Sequence, residues 1–196
     1  MKKYLVILFS LFCFLPVVMN AEVKSMNLVE ALKDEGIESD IDYEENDNQT
    51  TIYFFRTKGE SKSVDFLKYL DSIYARYGKF FKVRSYEVSG NDDNMLLMKN
   101  TFDYLRTDVN TTPFIVIGST YFITYKEDIN ENIEKAFIEY YQSGSTVDTI
   151  DEVLTRYYRN DTLIMTVFLS MIILIPVFII AMIIKNKIEN KKNTEN

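Results

Sequence analysis

Thr51-Ile-Tyr-Phe-Phe55, running straight into Arg56-Thr-Lys-Gly-Glu-Ser-Lys-Ser63, decides the reading of this chain together with Thr111-Thr-Pro-Phe-Ile-Val-Ile-Gly118 farther on. Ile52 to Phe55 is a short unbroken apolar run, which suits a strand buried on both faces. Ser61 or Ser63 offers a side-chain oxygen to cap the helix that follows. Val64, Leu67, Leu70, Ile73, Tyr74 and Tyr77 then recur at helical spacing, and Gly78 ends the run. A buried strand feeding an amphipathic helix is the first half of a parallel strand–helix–strand unit.

Working outward, Phe80 to Val88 reads as the second strand, closed by the turn-rich Ser89-Gly-Asn-Asp-Asp-Asn94. Met95, Met98, Phe102 and Leu105 mark another helix, with the methionines as core fillers. Pro113-Phe-Ile-Val-Ile117 and Thr120-Tyr-Phe-Ile-Thr-Tyr125 are two strands joined by Gly118-Ser119, a two-residue hairpin signal. Asp128 with Glu131 predicts a capped helix that buries Ile129, Ile133, Phe137 and Tyr140 and stops at Gly144. The order strand, helix, strand, helix, strand, strand, helix gives an α/β fold class. Val147, Ile150, Leu154 and Tyr157 continue it as a helical stalk over residues 143–161.

Ahead of the core, over residues 22–49, Asn27 and Glu30 form a capping-box pattern at the start of a short helix, and Gly36 ends it. Residues 34–47 hold eight acidic side chains and no basic one, the composition of a solvated, mobile linker. Asp40-x-Asp42-x-Glu44 lacks the glycine and the final glutamate of a calcium loop.

The two ends read as membrane segments. Lys2 and Lys3 precede an apolar stretch that closes on Asn20-Ala21, so residues 1–21 are expected to be a secretory signal peptide carrying Cys13, the one cysteine; Met19, large for the position three before a cut, leaves an uncleaved anchor as the alternative. Residues 163–184 are uncharged, long enough for a bilayer core of about 20 apolar residues. Pro176 lies inside this stretch and is tolerated in a membrane helix. A transmembrane helix is therefore expected over residues 162–184. The tail, residues 185–196, has four lysines and two glutamates, which places it on the cytoplasmic side. Tyr157 and Tyr158 suit the outer interface. The expectation is a single-pass cell-membrane protein with its N-terminal domain extracytoplasmic and its C-terminal tail cytoplasmic. The short signal and the richness in Asn, Lys, Ile and Tyr suit an AT-rich bacterium.

Residues 22–161 carry a net charge of −11, which argues against a nucleic-acid partner. With no histidine anywhere and Cys13 in the signal segment, thiolate, imidazole and Cys/His zinc chemistry have no residues to run on. Adjacent acids such as Glu44-Glu45 and Asp92-Asp93 read as solvated surface. No cofactor and no metal are expected.

The aromatic pair Phe54-Phe55, the loop and helix after it, and the proline opening the third strand resemble thioredoxin-like proteins, especially membrane-anchored extracytoplasmic bacterial ones, across roughly residues 50–142. The resemblance implies a three-layer α/β/α ectodomain. It puts the family's Cys-x-x-Cys at Gly59 and Lys62 with Glu60 and Ser61 between, open to a shift of one or two residues, and no register supplies a cysteine. The family's cis-proline falls on Pro113 after Thr112, and its glycine after the third strand on Gly118. In the family, the backbone ahead of the proline pairs with a bound peptide like an added strand, and the helix N-terminus stabilises a thiolate. Here that N-terminus, with Lys58 and Lys62 beside it, would be left to hold a carboxylate or carbonyl. Thiol–disulfide exchange requires a thiolate, so a redox-inactive module is implied. Its expected role is to bind an extended protein segment at Thr112, Pro113, Lys58, Gly59, Glu60, Ser61 and Lys62, as a chaperone, assembly or secretion accessory. The alternative is a structural subunit of a membrane complex that acts through its transmembrane helix.

Overall fold

The apolar run builds the central strand of a sheet. In the computed structural model, β1 is Thr50–Arg56, with six of its seven residues buried. The structure describes residues 23–108, 110–145 and 147–194, with side chains at 157–163 and 191–194 set aside. The expected signal segment with Cys13, and the side chains of Tyr157 and Tyr158, lie outside the described residues.

Helix α1 (Leu28–Asp34) precedes β1, and α2 (Ser61–Tyr77) follows it. Next come β2 (Phe81–Glu87), α3 (Asp92–Leu105), the hairpin of β3 (Phe114–Ile117) and β4 (Thr120–Ile123), α4 (Asn130–Ser143) and α5 (Thr149–Thr194). The sheet is mixed, in the order β2-β1-β3-β4. β1 runs parallel to β2, antiparallel to β3, and β3 antiparallel to β4. Successive side chains along a strand point to opposite faces, so one run of apolar residues supplies two cores. Ile52 and Phe54 pack with Ile115 and Ile117 against α1, α2 and α4. Tyr53 and Phe55 pack with Phe114 and Val116 against Leu97, Met98 and Phe102 of α3 and Ile150 and Val153 of α5. Helices therefore cover both faces. Each fully buried Phe or Leu is worth about 1.5–3 kcal/mol of transfer free energy, which is what holds the layers together.

Several expectations hold in detail. Asn27 and Glu30 make both bonds of the capping box. Gly118 takes a left-handed φ of 58° in the hairpin, and a Cβ there would run into the Tyr140 ring. Others are corrected. The second strand begins at Phe81, because Gly78–Phe80 form a 3-10 turn, and it ends at Glu87. The third strand begins one residue after Pro113, and the fourth stops at Ile123 because Thr124 leaves extended geometry at φ 62°. Neither Ser61 nor Ser63 caps α2; Glu60 holds that position and makes no side-chain cap bond. Asp128 sits in a 3-10 turn, and α4 starts after Ile129.

The largest correction concerns residues 34–47. They form a packed strap rather than a mobile linker: Ile37, Ile41 and Tyr43 lie against the core. The backbone of Glu44 bonds the Tyr74 hydroxyl in both directions, at 2.8 and 3.0 Å.

Helix α5 is one continuous element, in which the expected stalk and the expected membrane segment are the same helix. Within it Ile164–Asn190 is long and apolar enough to cross a bilayer, and none of it is buried.

Candidate functional site

The sheet positions its candidate site where β1 ends and β3 begins, since Phe55 pairs with Phe114 across the two strands. Arg56, the last residue of β1, is wholly buried. A guanidinium withdrawn from water is tolerable only when its donors are satisfied by good partners. Here Nε donates to the Ser85 hydroxyl at 3.0 Å, Nη2 to Asp34 at 2.5 Å, and Nη1 to Glu35. The same two carboxylates reach across to the next loop. Asp34 pairs with the Lys58 ammonium at 2.6 Å, and Glu35 accepts from the Gly59 N–H at 2.9 Å. Asp34 and Glu35 sit at the C-terminal end of α1, where the helix dipole disfavours negative charge, and the two cations offset that. The Lys58 and Arg56 bonds hold the Asp34 carboxyl below its ordinary range. Glu87 is pulled up by burial, yet bonds from Ser89, Gly90 and the Lys58 backbone outweigh this and leave its carboxyl low.

At the head of β3 the Thr112–Pro113 bond is cis. The hydroxyls of Thr57 and Thr112 share a hydrogen bond of 2.8 Å, which joins the loop after β1 to the segment before β3. Among the described residues the Thr112 N–H has no partner, and its carbonyl accepts only from the Thr111 hydroxyl at 3.2 Å. Thr124 follows β4 directly: its N–H donates to the Pro113 carbonyl at 2.8 Å, and its own hydroxyl is buried without a partner among the described residues. A β-branched residue in left-handed geometry is strained by about 1–2 kcal/mol.

The expected site residues therefore divide. Thr112 and Pro113 meet the 57–60 turn. Lys58 and Gly59 also lie there, already engaged by the chain's own carboxylates. Gly59, at φ 74°, is exposed and has no side chain to offer. Lys62 is exposed, and Ser61 donates to Asp65 at 3.3 Å. The pair spaced as in Cys-x-x-Cys that meets across the first turn of α2 is Glu60 with Ser63: the buried Ser63 hydroxyl donates to the Glu60 carboxylate at 2.7 Å. That is one residue on from the count to Gly59 and Lys62.

Sequence reasoning missed Arg56, Asp34, Glu35 and Thr124. A charge ending an apolar strand and two acids ending a helix were signals for the first three. Nothing in the sequence marks Thr124. Among the described residues no group of three or more Asp, Glu, His or Cys is placed to hold a metal ion. What this junction offers is the Thr112 N–H, without a partner among the described residues, and two half-buried hydroxyls bonded to each other. These are groups that read a neutral backbone. No family model matches the chain, and no curated protein or solved structure matches it.

Proposed function

We propose that the chain is a redox-inactive, thioredoxin-like module held outside the cell by its C-terminal helix, where the groove between Thr57 and Thr112–Pro113 binds an extended segment of another protein. The observation that carries this reading is the sheet order β2-β1-β3-β4 with a cis proline at the head of β3, bonded through Thr112 to the loop that follows β1. A segment laid along Thr112 would take its free N–H as a strand takes its neighbour's, with side-chain pockets adding selectivity. The filled anion-binding groups at Lys58 and Gly59 leave backbone pairing as the main source of affinity.

The geometry gives a direct test. Glu60→Cys with Ser63→Cys is expected to form a disulfide and to catalyse thiol–disulfide exchange, while Gly59→Cys with Lys62→Cys is not. The unaltered chain is expected to show no reductase turnover. Failure of the 60/63 pair to close, or equal activity of the 59/62 pair, would remove the thioredoxin-like reading. For the binding role, a photo-crosslinker at Thr112 is expected to trap a protein partner in membranes, and the same group at Lys135, exposed on α4, is not.

A second reading is favoured by the unburied apolar length of α5 with Pro176 inside it: a subunit whose membrane helix makes the functional contact. Exchanging that helix for an unrelated span separates the two, since only this second role would be lost.

A further inference from the structure

We infer that the sheet domain and the membrane-spanning part of α5 form one rigid body, keyed by the carboxylate of Asp148. This goes beyond peptide binding and holds whether or not the groove is occupied; it rests only on α5 crossing a bilayer.

Asp148 caps α5. One of its oxygens accepts from the N–H groups of Ile150 and Asp151, at 2.9 and 3.0 Å. Its other oxygen accepts from the Tyr53 hydroxyl at 2.7 Å. Tyr53 is a buried residue in the middle of the central strand. A single carboxylate thus ties the first turn of the membrane helix to the centre of the sheet. Further contacts follow one helical turn apart along the same stripe of α5. Glu152 accepts from the Tyr104 hydroxyl of α3, and the Arg156 guanidinium lies over the Tyr104 ring at 5.4 Å. Between these, Ile150 and Val153 are buried in the cluster that also holds Phe55 and Phe114, the pair that faces across β1 and β3 beside Thr112–Pro113.

Beyond Arg156 the helix does not break. Residues 157–163, about 10 Å of helix at 1.5 Å per residue, are all that separate the last of these contacts from the apolar span. Sharp kinks arise at proline, at glycine–serine pairs or at bulges. From Thr149 onward there is no glycine, and the first proline is Pro176, deep inside the apolar stretch. With no flexible linker, the groove is held at a fixed height and azimuth over the membrane, and a rotation of the span turns the groove with it.

The test uses the full chain in lipid nanodiscs with Cys13→Ser. Spin labels go on Lys99→Cys, exposed on α3, and Ser170→Cys, in the span but before Pro176. Double electron–electron resonance is expected to give one narrow distance distribution. A run of glycines inserted between Arg159 and Asn160 is expected to broaden it severalfold. Asp148→Ala is expected to broaden it to a lesser degree, and Tyr53→Phe, which keeps the helix cap, does so without disturbing the fold. A distribution in the parent chain as wide as that of the glycine insertion overturns the rigid body. Asp148→Ala and Tyr53→Phe both as narrow as the parent overturn the assignment of Asp148 as the key.

Discussion

Arg56 shows what a charge at the end of a buried strand demands of its surroundings. The guanidinium has no exposure, and Glu35 is nearly as hidden, at 3%. Removing one partner of such a pair strands the other and costs about 3–5 kcal/mol, whereas replacing all partners with neutral groups costs far less. Arg56→Met is therefore expected to lower the stability of the full chain in detergent by about 3–5 kcal/mol in urea titrations followed by circular dichroism. Adding Asp34→Asn and Glu35→Gln to that variant is expected to recover most of the loss, because no unpaired charge is left inside. The same cluster sets an acid limit. The Lys58 and Arg56 bonds depress the Asp34 carboxyl from an unfolded value of 3.8. A depressed carboxyl contributes stability that is complete above the unfolded value and is lost as pH falls through the folded one. The urea midpoint should thus fall more steeply below pH 3.8 in the parent than in Asp34→Asn. Coincident acid limbs in the two proteins would show that the ion pair adds nothing.

At the scale of elements, the acidic strap is the instructive case. Composition alone reads residues 34–47 as solvated, yet the order of residues says otherwise. Ile37, Ser39, Ile41 and Tyr43 alternate with Glu38, Asp40, Asp42 and Glu44, and the first set is half-buried while the second is exposed. That is the two-residue period of an extended chain laid on a surface. Polar bonds then fix it. Ser39 donates to Asp71 at 2.5 Å, the Tyr43 hydroxyl accepts from the Val83 N–H at 3.0 Å, and Glu45 takes two bonds of 2.7 Å from Arg84. Arg84 in turn holds the Glu45 carboxyl low. A glutamate-specific protease is therefore expected to leave the strap of the folded chain uncut. Tyr74→Phe, which removes both bonds to Glu44, is expected to open cleavage at Glu44 and Glu45; rapid cutting of the parent would restore the mobile-linker reading. The strands, the hairpin and the helix faces were legible because burial imposes periods of two and 3.6 on the sequence. The start points of α2 and α4 were not, since several oxygens near each start could cap it and the path of the incoming loop selects among them. The two segments framing the groove were legible through the apolar run and Pro113. The Arg56 clamp was not, because its partners lie 21 and 22 residues away along the chain, and no local pattern announces such a pairing.

At the scale of the molecule, charge and hydrophobicity divide the chain in one direction. An acidic domain comes first, then a helix whose exposed apolar length fits a bilayer, then a lysine-rich end. Lysine near the end of a span favours the cytoplasmic side, while glutamate has little influence on orientation. Under the proposed topology the tail is expected on the cytoplasmic side and the sheet domain, with its net charge of −11 over residues 22–161, on the other. A surface of that sign is repelled by anionic lipid headgroups, so in that topology the domain is expected to stand off the membrane on its helix. The scarcity of cysteine makes this arrangement directly measurable. In a Cys13→Ser background, a single thiol introduced as Ser119→Cys at the β3–β4 turn is expected to react with a membrane-impermeant maleimide on intact cells. A thiol introduced as Asn193→Cys in the tail is expected to react only after permeabilisation. Labelling of the tail in intact cells, with the turn protected, would invert the topology and place the groove in the cytoplasm, where it would meet a different set of extended segments.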